Sequence, residues 1–312
     1  QLSSPESPTN PRPPSTAQQP TASALRRRRP MDRFQDGHHV RLRSRVQRTY
    51  LHAADDGESV TLSQRRASMN AAWAVHIYHG DDGPYLLLHS AAYGRYLAAA
   101  ARPARLGHRG LRAELSDYDL PEVEAIVWRA VGSGFEDDVV LLRNVGGRYL
   151  RANGKYLPWN SSGVSVDDDA SSMMYWVVEP IPARDRWNMP FLPDPPPLLI
   201  YLLGVIYPEP GRLIRFVRAQ DDGHYPEAEG WQQFWFRGRS AFRLRDDLGL
   251  LVGAGVYYLN ITMCVRAGRH GRLTPLVVNL PDGGYGETLE IVVFMADTPA
   301  YNELRHPDVD AE

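Results

Sequence analysis

A single cysteine, Cys264, stands among the 312 residues of this chain. That excludes an internal disulfide framework and fits a reducing compartment. Its surroundings alternate in Ile261-Thr262-Met263-Cys264-Val265, so the thiol reads as a small buried hydrophobe and not as a nucleophile. Lysine is as scarce: of 35 basic residues only Lys155 is lysine. Alongside abundant alanine and glycine, this bias reads as a GC-rich coding sequence, which weakens any arginine cluster as a pointer to nucleic acid. No nucleic-acid partner is expected. Net charge is −2, with 43% hydrophobic residues, the profile of an ordinary globular protein. The longest apolar run, residues 198–207, is about half the roughly 20 residues a membrane helix needs. It is expected to pack against a domain.

Catalytic patterns are missing too. There is no Gly-x-Ser-x-Gly elbow, no phosphate-cradling Gly-x-x-x-x-Gly-Lys and no His-Glu-x-x-His. His38-His39 and the pair His76 and His79 fall on opposite faces of a strand, so neither pair makes a metal site. Asp167-Asp168-Asp169 reads as a solvated acidic turn. The sequons at Asn160 and Asn260 carry no meaning without secretion. No enzyme activity, metal or cofactor is expected.

What is present is a repeat. Val40-Arg41-Leu42-Arg43-Ser44, Tyr50-Leu51 and Trp73 are matched by Leu86-Leu87-Leu88-His89-Ser90, Tyr96-Leu97 and Trp128. Val140-Leu141-Leu142-Arg143-Asn144, Tyr149-Leu150 and Trp176 complete the third copy. The Tyr-Leu pairs lie 46 and 53 residues apart and the tryptophans 55 and 48. Apolar–polar alternation marks strands, and each unit is too small to bury its own apolar face. Three units closing about a pseudo-threefold axis make a β-trefoil, with the tryptophans as core.

The chain then divides into four parts. Residues 1–30 are rich in Ser, Pro, Thr and Gln and end in Arg26-Arg27-Arg28-Arg29. They lack the apolar content to fold and read as an upstream extension, since Met31 is a natural start. Residues 31–182 form the trefoil. Residues 183–210 are a Pro-rich linker with a short apolar segment. Residues 211–312 form a small α+β domain, with strands at 213–218, 233–236, 261–266, 275–280 and 289–294. Ser240 caps a helix that buries Phe242, Leu244, Leu248 and Leu251. The order ββαβββ matches a ubiquitin-like roll, and other small α+β folds share it.

The opening Met31-Asp32-Arg33-Phe34, the tripled Tyr-Leu and Trp pattern, Gly107-His108-Arg109-Gly110 and the run from Val265 through Arg266-Ala267-Gly268-Arg269-His270-Gly271-Arg272-Leu273-Thr274-Pro275 to Leu276 resemble a plant family of unknown function. Its members carry a fascin-like, actin-cross-linking-like trefoil. The resemblance implies a cytoplasmic binding or scaffold protein with actin as partner. The tetra-arginine run adds a nuclear alternative. The best site candidate in the sequence is Arg102, Arg105, His108, Arg109 and Arg112, in the longest Tyr-to-Trp interval, 32 residues against 23 and 27. An inserted charged loop on a rigid scaffold suits binding of an acidic surface. The bland reading pairs these arginines with Glu114 and Asp117. A lectin-like trefoil is the alternative function, although no Gln-x-Trp sugar pattern occurs.

Overall fold

The computed structural model describes residues 29–120, 123–134, 138–154, 163–185, 190–194, 210–254 and 260–311. The N-terminal stretch before residue 29, the apolar run 198–207 and the sequon at Asn160 lie outside them.

The first domain has strands β1 (His39–Ser44), β2 (Tyr50–Ala53), β3 (Val60–Ser63), β4 (Trp73–Gly80), β5 (Gly83–Ser90), β6 (Tyr96–Pro103), β7 (Leu111–Ser116), β8 (Trp128–Gly132), β9 (Val139–Asn144), β10 (Tyr149–Ala152), β11 (Val164–Asp167) and β12 (Trp176–Ile181). Antiparallel pairing runs β1 to β4, β5, β8, β9 and β12, then back to β1. That closes a six-stranded barrel and leaves it without edges. The hairpins β2–β3, β6–β7 and β10–β11 cap it. They lean on one another where β7 pairs β11 and Ser59 bridges Glu114. This is the expected β-trefoil.

The repeat persists down to single hydrogen bonds. Trp73, Trp128 and Trp176 are fully buried. Their indole Nε1 groups donate to the carbonyls of Leu51, Leu97 and Leu150 at 3.0, 2.9 and 3.0 Å. A one-turn 3₁₀ helix precedes each tryptophan. Ser44, Ser90 and Asn144 each accept a backbone N–H from the turn that follows. A buried indole needs a partner for its N–H, and each repeat supplies the leucine carbonyl of its own Tyr-Leu pair.

The second domain comprises β13 (Gly211–Arg218), β14 (Gln232–Arg237), α1 (Ala241–Leu251), β15 (Ile261–Arg266), β16 (Thr274–Pro275), β17 (Thr288–Met295) and α2 (Pro299–Glu303). The sheet order is β14-β13-β17-β15-β16, and β13 runs parallel to β17. One face packs Ile214, Met263, Ile291 and Val293 with Leu244 and Leu248 of α1. The other holds Cys264, Val292 and Phe294 with Ala300 of α2. Burial on both faces explains the unbroken apolar run in β17. The result is the ubiquitin-like roll.

Two local expectations fail. The strand at 275–280 shrinks to Thr274–Pro275. Pro275 has no N–H to extend a ladder, and the Leu280 N–H bonds instead to the Arg239 carbonyl. In α1, Ser240 caps as expected by accepting from the Arg243 N–H. The buried stripe, however, is Ala241, Leu244, Leu248 and Gly249. Phe242 lies against the Arg245 guanidinium at 4.7 Å, and Leu251 is exposed.

The Val265-to-Leu276 run joins the two domains. Tyr118 N–H donates to the Ala267 carbonyl at 2.8 Å, and His270 N–H donates to the Tyr118 carbonyl at 2.8 Å. Between them Gly268 holds φ +87°, and a Cβ there would stand 2.5 Å from Tyr118 backbone atoms. Only glycine fits. Arg272 pairs with Asp36 at 2.8 Å, and Arg95 bridges Asp117 and Glu287. Beyond α2 the chain returns to the trefoil. His306 accepts from the Arg184 N–H, Val309 from Arg41 Nη2, and Ala311 from Arg66 Nη1.

Candidate functional site

The five residues singled out in the sequence lie on and around the loop from β6 to β7, at the hairpin cap. Gly110 fixes that loop. Its φ is +81°, and a Cβ would meet the Val166 carbonyl at 2.0 Å, so β11 clamps the loop end directly.

From there the five part company. Arg102 pairs with Glu114. Arg109 reaches Asp169 at 3.3 Å and Asp167 at 3.8 Å. The Asp167 carboxyl is itself largely buried, while Asp168 and Asp169 are solvated. Asp117, an expected partner of this loop, pairs with Arg95 instead. Arg105 and Arg112 converge: their Nη2 groups donate to Ser59 Oγ at 3.0 and 2.8 Å. His108 lies beside them across Gly163, where a Cβ would meet its ring at 2.1 Å. Arg105, His108, Arg112 and Ser59 line a slot of about 20 Å³.

The electrostatics favour an anion there. Neither Arg105 nor Arg112 is in an ion pair with a carboxylate among the described residues. Burial, and then the Arg105 charge, lower the His108 pKa. Asp56 anchors Ser59 from behind by accepting the backbone N–H groups of Glu58 and Ser59. Burial raises the Asp56 carboxyl, but the bonds from Ser59 and Glu58, together with the nearby Arg105 charge, outweigh it and hold the group below its usual value. Two guanidinium groups set on one hydroxyl keep further N–H donors for an oxyanion. Ser59 had no signal in the sequence, since it lies 46 residues from Arg105 and 53 from Arg112.

The three repeat tryptophans offer nothing to a sugar, because Trp73, Trp128 and Trp176 are enclosed with their N–H groups engaged. Cys264 is enclosed and burial pushes its thiol pKa up, away from nucleophilic use. Among the described residues no group of three His, Cys, Asp or Glu is placed to hold a metal, and no helix is long and apolar enough to cross a membrane.

Solved structures similar to the chain include an SDF2-like protein from Arabidopsis thaliana, 17% identical with a TM-score of 0.40, covering 46% of this chain and 92% of that one. A Caenorhabditis elegans protein of unknown function gives the same identity and TM-score, covering 46% and 93%. The Macrolepiota procera ricin B-like lectin, solved with lactose, is 15% identical with a TM-score of 0.38, covering 46% and 96%. No curated protein matches. Family models do: a β-trefoil domain of unknown function, DUF569, matches residues 31–180, and the DUF569-associated ubiquitin-like domain matches residues 210–294. With both models in order along one chain, the protein belongs to the DUF569 family, a β-trefoil of unknown function followed by its associated ubiquitin-like domain.

Proposed function

We propose that the protein is a non-catalytic binding protein whose trefoil cap engages an acidic surface on a protein partner, with actin filaments as the first partner to test. The observation that carries this reading is the convergence of Arg105 and Arg112 on Ser59 Oγ without a carboxylate partner among the described residues. Guanidinium groups held this way are oriented before binding, which lowers the ordering cost of a carboxylate contact. Arg102 and Arg109 flank them with their charge already matched by Glu114 and Asp169. A sugar-binding role has less support, since the three repeat tryptophans of the trefoil are enclosed and cannot stack on a ring.

Co-sedimentation with actin filaments tests the proposal. At micromolar protein and low salt the wild type pellets with filaments, and added salt weakens the association by screening. The double variant Arg105→Gln/Arg112→Gln stays in the supernatant. One trefoil decorates filaments without bundling them, because cross-linking needs two separated sites. Absence of pelleting by the wild type rejects actin as the partner, and undiminished pelleting by the double variant rejects the cap as the site.

A further inference from the structure

A second cavity lies where three parts of the chain meet: the barrel end at His39, Val75 and His89, the segment Arg272–Pro275, and the C-terminal end of α2 through Arg305. Its volume is about 160 Å³. A protein void of about 150 Å³ admits benzene, so a ring-sized ligand fits. Val75, Leu273 and Leu304 supply apolar wall, and the polar groups gather on one side. His39 and His89 are more than nine-tenths buried. His89 Nδ1 shares a proton with Thr274 Oγ1 at 3.0 Å, bridging the two domains. Arg272 is committed to Asp36 at 2.8 and 3.1 Å. Arg305 is exposed, donates only weakly to the Gly37 carbonyl at 3.4 Å, and makes no ion pair with a carboxylate among the described residues. Glu303, solvent-exposed, is the lone carboxylate in the lining among the described residues.

We propose that this cavity binds a small apolar monocarboxylate, its body against Val75, Leu273 and Leu304 and its carboxylate toward Arg305 and the imidazoles of His39 and His89. Arg305 in the lining supplies the positive charge for a negative guest. Burial, then the charges of His306, His38 and Arg305, push the His39 pKa down to about 4. Burial, then His39, His76 and Arg272, hold His89 well below its ordinary value, and Asp36 opposes them only in part. Both imidazoles are therefore neutral near pH 7, with the Arg305 guanidinium as the cation beside them. A carboxylate beside them raises their pKa, so binding takes up protons and tightens as the pH falls. Because the ligand touches both domains and the C-terminal segment, it also stabilises their assembly.

Benzoate is the probe, titrated into the full chain by calorimetry and thermal melting. Benzoate is expected to raise Tm with concentration, to bind more tightly at pH 6 than at pH 7.5, and to give heats that differ between buffers of different ionisation enthalpy. Benzyl alcohol, with the same ring and no charge, binds at least about tenfold more weakly. Arg305→Gln, at an exposed position, keeps the wild-type melting curve and weakens benzoate about tenfold. Arg105→Gln at the trefoil cap leaves benzoate affinity unchanged, which separates this site from the cap. The proposal is overturned by any of four results: no Tm shift at millimolar benzoate, equal binding of benzyl alcohol, no effect of Arg305→Gln, or loss of benzoate binding in Arg105→Gln.

Discussion

At the trefoil cap, Arg105 and Arg109 stand in solvent and Arg112 is half-buried. At the junction of the domains, His39, His89 and His306 are 7%, 4% and 4% exposed. Both places gather basic side chains, but solvent treats them differently. Cap charges are screened by water and salt, so they steer and hold a partner while adding little to folding. Junction imidazoles have lost their water, and their protonation state is tied to whether the domains stay packed. His306 carries this furthest, since neither ring nitrogen has a hydrogen-bond partner among the described residues. The cap is built to be titrated by salt, the junction by acid.

Both regions rest on the barrel, where the largest effects should appear. Replacing Trp73, Trp128 or Trp176 with alanine should each cost about 3–5 kcal/mol, and the three losses should agree because each indole is enclosed and bonded alike. Urea unfolding of the three variants measures this. A thermally silent member of the set would show that the threefold equivalence ends at geometry.

Acidification comes next and separates junction from cap. His39, His76 and His306 have pKa values pushed down from 6.5 to about 4, mainly by burial. The unfolded chain gains protons as the pH drops through 6.5, whereas the folded chain resists until about 4. Stability should therefore be full above pH 6.5 and fall between 6.5 and 4. The slope is about 1.4 kcal/mol per pH unit for each fully buried histidine. Asp36 and Asp56, both held below their usual value, lose their contribution only lower, as the pH falls below 3.8. Denaturation midpoints at pH 7, 6 and 5 give the slope, and His39→Gln should flatten it. A slope that survives His39→Gln, His89→Gln and His306→Gln together would move the acid sensitivity away from the junction.

The smallest expected effect is at the cap. Arg105→Gln should change stability by less than about 0.5 kcal/mol. Arg112→Gln, which removes a half-buried bond to Ser59, should cost about 1 kcal/mol. Thermal melts in low and high salt check both values. A cap substitution as costly as a tryptophan truncation would recast these arginines as structural and end the contrast with the junction.

The sequence by itself determined the trefoil. Period-two alternation, the Tyr-Leu pairs and the tryptophans are local signals repeated three times, and a repeat that cannot bury its face alone admits few architectures. It also carried most of the ubiquitin-like roll, because strand and helix periods differ and Ser240 marks the helix start. It pointed to the loop of Arg102, Arg105, His108, Arg109 and Arg112 by its charge and length. Only the tertiary structure decided which of these cations are spent in ion pairs and which converge on Ser59, because that depends on a hydroxyl 46 residues from one and 53 from the other. The tertiary structure likewise turned the Val265-to-Leu276 run into a seam between domains. It gathered His39, His89 and Arg305 around one cavity. Periodicity reports which face of an element is buried. Which distant side chains share a pocket, and what their protonation costs there, follows from packing in three dimensions.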